Sequence, residues 1–168
     1  MEKRLKSYTK WGMLLVMSLG IMLHFLYEFT GKSMWAGFFS PINESVWEHM
    51  KLAFFPLLVY FLYEILCIQK QFPSLSSASA WGILIGTFSI PVIFYTYTGI
   101  LGFHLLALDI ATLLLGLFLG FYGQRKKMDQ NSFLPAGKGF LSWGLVILTC
   151  LCFFIFTFWT PALPLFAE

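Results

Sequence analysis

The chain has 168 residues, of which 58% are apolar, 20% aromatic and only 11% charged, with a formal net charge of +3. Soluble domains average about 45–50% apolar and about 25% charged, so a water-soluble fold of this size has too little polar surface to cover itself. Lipid is the solvent that this composition calls for, which excludes a soluble enzyme, a secreted disulfide scaffold and a nucleic-acid binder.

Five apolar segments follow one another, at about 11–29, 46–68, 78–97, 99–122 and 140–160. Each approaches the roughly 20 residues that cross a 30 Å hydrocarbon core as a helix. Only helices satisfy their backbone internally over such runs, and no ten-residue alternation suggests a barrel. The expected fold is all-α: one polytopic domain, residues 1–168, with five transmembrane helices.

The first segment is longer than the apolar core of a signal peptide and no small-x-small site follows it, so it reads as an uncleaved span. The second opens on Ser45, which has capping-box spacing to Glu48: the serine would cap the helix while the carboxylate reaches back to its amide. Pro56 and Pro91 fall inside the second and third spans, where each removes a donor and tends to kink the helix. The third and fourth are separated by Thr98-Gly99-Ile100, the expected hinge of a tight hairpin. Gly82 and Gly86, and again Gly116 and Gly120, are small-xxx-small pairs that let helix backbones approach closely. Trp11, Trp35, Trp81, Trp143 and Trp159 fall near span ends or in a loop, as interfacial anchors do. Cys67, Cys150 and Cys152 are odd in number and lie in apolar segments; they read as small apolar residues, not disulfides.

The cations assign the sides. Lys3, Arg4, Lys6 and Lys10 precede the first span, Lys70 follows the second, and Arg125, Lys126, Lys127 and Lys138 lie around the fourth loop. With five spans these share one face, against Lys32 and Lys51 on the other. The positive-inside rule makes the rich face cytoplasmic, with the amino terminus inside and the carboxyl terminus outside. The expected location is the plasma membrane, crossed several times.

Ionisable residues inside such spans are costly, about 2.5–3.5 kcal/mol each on insertion scales, and need a partner or water. His24 and Glu28 lie in the last turns of the first span, one turn apart on the same face. Glu48 and His49 lie at the start of the second. His104 falls about 7 Å into the fourth, with Asp109 nearer the midplane. All of these collect in the outer leaflet. His104 and Asp109, five apart, sit about 140° around a helix and do not both point at one centre. Glu44 reads as part of a solvated cap, Lys51 as a counter-ion for Glu48, and Glu64 as a side chain snorkelling to the inner edge.

These residues carry a resemblance. His24-Phe25-Leu26-Tyr27-Glu28, the run Asn43-Glu44-Ser45-Val46-Trp47-Glu48-His49-Met50-Lys51 with Phe55-Pro56, and the closing Pro161-Ala162-Leu163-Pro164-Leu165-Phe166 resemble an uncharacterised family of small polytopic bacterial membrane proteins. The resemblance covers the whole chain and implies a topology and a bacterial inner membrane. A looser similarity is to membrane metallohydrolases of the alkaline ceramidase and adiponectin-receptor kind, which hold zinc with a Ser-xxx-His helix, an aspartate and two further histidines. Ser45-xxx-His49 matches the first element and Asp109 would supply the aspartate. The chain departs from that pattern in lacking a His-xxx-His pair and in having five spans where those proteins have seven.

Three functions fit. The first is a zinc-like metal held by His24, His49 and His104 with Glu28 or Asp109. A metal-bound water would attack a lipid ester or amide, with Glu48 or Asp109 moving the proton. The second is a small transporter that uses the same polar layer. The third is a non-catalytic accessory subunit in which that layer clamps helices together. The expected partners are membrane lipid and either a second copy of the chain or another membrane subunit.

Overall fold

The apolar segments fold as helices because no other backbone satisfies itself over twenty apolar residues. The computed structural model describes residues 2–130 and 139–167, and among these every regular element is helical. In chain order they are α1 (Glu2–Phe29), the single turn α2 (Met34–Gly37), α3 (Val46–Ile68), α4 (Leu75–Leu101), α5 (Leu106–Gln130) and α6 (Gly139–Phe158). Short 3-10 turns follow at Gln69–Gln71 and Pro164–Phe166. The five long helices are all long and apolar enough to cross a membrane. Side chains such as Ile21, Met22 and Phe25 on α1 and Ile147 and Leu151 on α6 remain exposed. That outward apolar surface is what acyl chains, and not water, would solvate.

Hydrogen bonds between helices fix their directions. At one end Thr9 of α1, Glu64 of α3, Ser79 of α4 and Gln124 and Arg125 of α5 join in one network. At the other, Thr157 of α6 donates to Glu48 of α3, and the rings of His24 and His49 meet. The helices therefore run alternately up and down. Lys70, Arg125, Lys126 and Lys127 all lie toward the first end, here called the basic end. Lys138, counted with them above, lies outside the described residues.

The most enclosed helix is α3, with 56% of its most apolar window buried against 17% for α1 and 22% for α6. It crosses the core carrying Phe54, Leu57 and Phe61, all fully buried. Helices in lipid gain little from a hydrophobic effect between them, so close packing must hold them together. The α4–α5 pair achieves this with glycine. A Cβ on Gly82 would lie 2.8 Å from the Gly120 carbonyl oxygen, and one on Gly116 would lie 3.0 Å from that of Gly86.

Three local expectations are corrected. The α4–α5 hinge is not at Thr98-Gly99-Ile100, which remains helical; α4 ends when Gly102 turns left-handed at φ 79° and its amide donates to Thr98 O at 2.7 Å. Only a residue without a Cβ adopts that geometry cheaply. His104 therefore lies in the turn before α5, not within a span. Glu64 does not snorkel. It is fully buried, taking Arg125 Nη2 at 2.5 Å and Gln124 Nε2 at 2.6 Å, while Arg125 Nε donates to Thr9 Oγ1 and Gln124 Nε2 to Ser79 Oγ. A buried carboxylate needs such donors because water is excluded from it.

Candidate functional site

The site grows from the start of α3. Ser45 caps the helix, its hydroxyl accepting the Glu48 amide at 3.4 Å. The reciprocal half of the capping box is absent. The Ser45 amide turns instead to Asn43 Oδ1 at 3.1 Å, and the Ser45 hydroxyl donates to the same oxygen at 2.7 Å. Glu48 is freed to turn inward, where its carboxylate accepts from the Ile42 amide (3.0 Å), Thr157 Oγ1 (2.9 Å) and Lys51 Nζ (2.7 Å). Lys51 is fully buried and also donates to the carbonyls of Gly37 and Ser40. One buried ion pair thus anchors the loop between α1 and α3 and the end of α6 to the same turn.

That loop reaches back into α1. The Ser40 hydroxyl accepts from the Tyr27 amide at 3.1 Å and donates to the Leu23 carbonyl at 2.5 Å. These are the two groups that an undisturbed helix pairs with each other, four residues apart. The Ser40 hydroxyl thus ties the loop to the turn of α1 that carries His24, which stays helical.

His24 faces His49 across the α1–α3 junction, the ring centroids 5.5 Å apart. Its Nδ1 is buried and has no hydrogen-bond partner among the described residues. His49 Nδ1 lies 3.0 Å from Ser45 O. A carbonyl only accepts, so that nitrogen carries a proton, and Nε2 is the ring position left to face Glu44. Nε2 lies 3.3 Å from Glu44 Oε2. One ligand atom from each of His24, Glu44 and His49 falls within 4.8 Å of the other two. Atoms bound tetrahedrally to zinc at about 2.0–2.2 Å lie about 3.3–3.6 Å apart, so a closure of about an ångström makes the set a chelate. Glu44 is largely exposed and His49 partly so, which leaves the group open to solvent beyond the bundle end.

The other expected residues lie elsewhere. Glu28 points outward and pairs with Lys32 at 3.6 Å, both side chains about two-thirds exposed. His104 is exposed, and its Nδ1 lies 3.3 Å from Asp109 Oδ2; Tyr97 donates its hydroxyl to the same carboxylate. Because His104 precedes the helix, the angular separation expected of two helical residues does not apply, and the two side chains meet. Neither joins His24 and His49. The aspartate that the metallohydrolase similarity would need beside Ser45-xxx-His49 is therefore engaged with its own hairpin. Glu48 is near the site but held by three donors.

Glu44 is the residue that sequence reasoning set aside. The signal was present, since Glu44 and His49 flank the cap five residues apart. What hid it is that Glu44 belongs to the loop, where no helical period says which way a side chain points.

No curated protein and no solved structure matches the chain. A family profile does match, over residues 1–168, and its description is a family of unknown function. The match spans every helix and the loop that bears Glu44, so the chain belongs to DUF6512, a family of unknown function.

Proposed function

We propose that the protein is a multi-pass membrane protein of the plasma membrane that binds a divalent transition metal at its outer face, with His24, His49 and Glu44 as ligands. The observation that carries this reading is the convergence of three ligand atoms from α1, α3 and the intervening loop within 4.8 Å. Two features support it. The His49 tautomer is set by a backbone carbonyl, the partner that metal-bound histidines commonly use. The His24 Nδ1 is a buried polar atom without a partner among the described residues, a costly arrangement in protein or lipid. Two imidazoles and a carboxylate suit zinc and leave a fourth position for water or a ligand.

The geometry favours metal binding over the lipid hydrolysis expected with Glu48 as proton carrier. That carboxylate is already committed to Ile42, Lys51 and Thr157, and a general base needs a free lone pair within reach of the water it activates.

The test is metal analysis of the detergent-purified full chain after equilibration with zinc. One zinc per chain is expected. His24→Ala and His49→Ala should each lower affinity by more than the roughly 10–100-fold that losing an outer partner of a metal ligand costs. His104→Ala and Glu28→Gln should leave binding intact. Absence of stoichiometric metal, or an equal loss from His104→Ala, would overturn the reading.

A further inference from the structure

Between α4 and α6 lies a groove of about 560 Å³ with walls that include Trp47, Trp81, Leu84, Phe88, Leu148 and Cys152. Phe88 and Leu148 are exposed along it. Packed helices do not leave such a trough empty, because its walls lose dispersion contacts that any apolar chain would restore. Toward the basic end the wall is Trp81. The ammonium of Lys127, in the last turns of α5, stands over that indole, 5.6 Å from the ring centroid. A cation thus sits where the apolar trough meets the basic end of the bundle. The neighbouring Lys126 faces differently, its Nζ lying 5.9 Å from the centroid of the exposed Tyr122 ring.

We infer that this groove holds an acyl chain of an anionic glycerophospholipid from the leaflet at the basic end, with the Lys127 ammonium on its phosphate. From its Trp81 end the groove runs from a positive charge and an indole into a wall that is apolar apart from Thr149 and the indole of Trp47, the order of a phospholipid read from headgroup to tail. Charge complementarity selects this occupant. An apolar helix of a partner would fill the trough but bring no charge to Lys127, whereas anionic lipids gather at basic membrane faces, each nearby lysine adding about 1 kcal/mol. The headgroup end of the site, at Trp81 and Lys127, lies toward the other end of the bundle from His24 and His49, and lipid binding there does not depend on metal.

The experiment is native mass spectrometry of the full chain, stripped of lipid in a neutral detergent and titrated with phosphatidylglycerol or phosphatidylcholine of equal chain length. Phosphatidylglycerol should form a single preferred adduct. Lys127→Ala should weaken it about fivefold, while Lys126→Ala, which removes the same charge one residue away, should not. Leu148→Trp fills the groove and should weaken both lipids. Leu145→Phe, a smaller filling of the same wall, gives the same reading should the tryptophan variant not fold. Equal binding of the two lipids, equal losses from the two lysine variants, or binding untouched by filling would overturn the inference.

Discussion

Two ion pairs near the same bundle end differ in what they are worth, and burial decides it. Glu28 and Lys32 meet at 3.6 Å with 69% and 65% of their side chains exposed; an exposed pair contributes about 0–1 kcal/mol. Glu48 and Lys51 meet at 2.7 Å with 3% and 0% exposed. Removing one member of a buried pair strands the other, at about 3–5 kcal/mol. Lys51→Met should therefore lower stability by about that amount, measured by unfolding in detergent. The double variant Lys51→Met/Glu48→Gln should recover much of it, since the uncharged amide keeps its oxygen as acceptor for the Ile42 amide and turns its NH2 to Thr157 Oγ1, whose hydroxyl still donates to Phe153 O. A double variant as unstable as the single one would show that packing, not the stranded carboxylate, carries the cost. The sequence spacing made the Glu48–Lys51 pair legible, three residues apart on one helix. Its burial was not legible, because the carbonyls of Gly37 and Ser40 that close over Lys51 come from a loop with no period. Glu64 was misread for a related reason: Arg125 lies 61 residues away, and only the bundle topology brings it near.

At the level of helices, the length and apolarity of the runs were enough to locate all five, while their ends depended on single residues. The sequence reading put the hinge at Gly99 and Gly102 inside the next span, yet it is Gly102 that adopts the left-handed conformation that ends α4. The glycine pairs of α4 and α5 were readable from spacing and do face each other, backbone against backbone. Their worth can be tested against a glycine in open space. A Cβ on Gly82 would meet the Gly120 carbonyl at 2.8 Å, a backbone atom that cannot swing aside, whereas one on Gly144 of α6 would meet nothing within 4 Å. Gly82→Ala should push the hairpin apart and lower the melting temperature. Gly144→Ala should be neutral or stabilising by up to about 1 kcal/mol, the helix-propensity gain alone. Circular dichroism melts of both variants in one detergent decide it. Equal melting temperatures would mean that the glycine contact does not hold α4 to α5.

For the whole molecule, the central question is which way the bundle faces. The fold separates its chemistry between the two ends: Glu64, Arg125, Lys70, Lys126 and Lys127 at one, His24, Glu44 and His49 at the other. Cationic loops resist passage through the membrane during insertion, so the basic end should stay in the cytoplasm and the proposed metal ligands should meet the outside. That orientation also gives the exposed Glu44 carboxylate direct contact with the external metal supply, with no pore needed. Its test uses a chain whose three native thiols, all unpaired, are replaced by alanine. A membrane-impermeant thiol reagent applied to intact cells should label Phe39→Cys, in the half-exposed loop over the metal end, and should label Lys70→Cys only after permeabilisation. The reverse pattern would turn the bundle over, placing the histidines on the cytoplasmic side. The ligand set would then draw on the cell's own metal pool, and the groove beside Lys127 would face the outer leaflet.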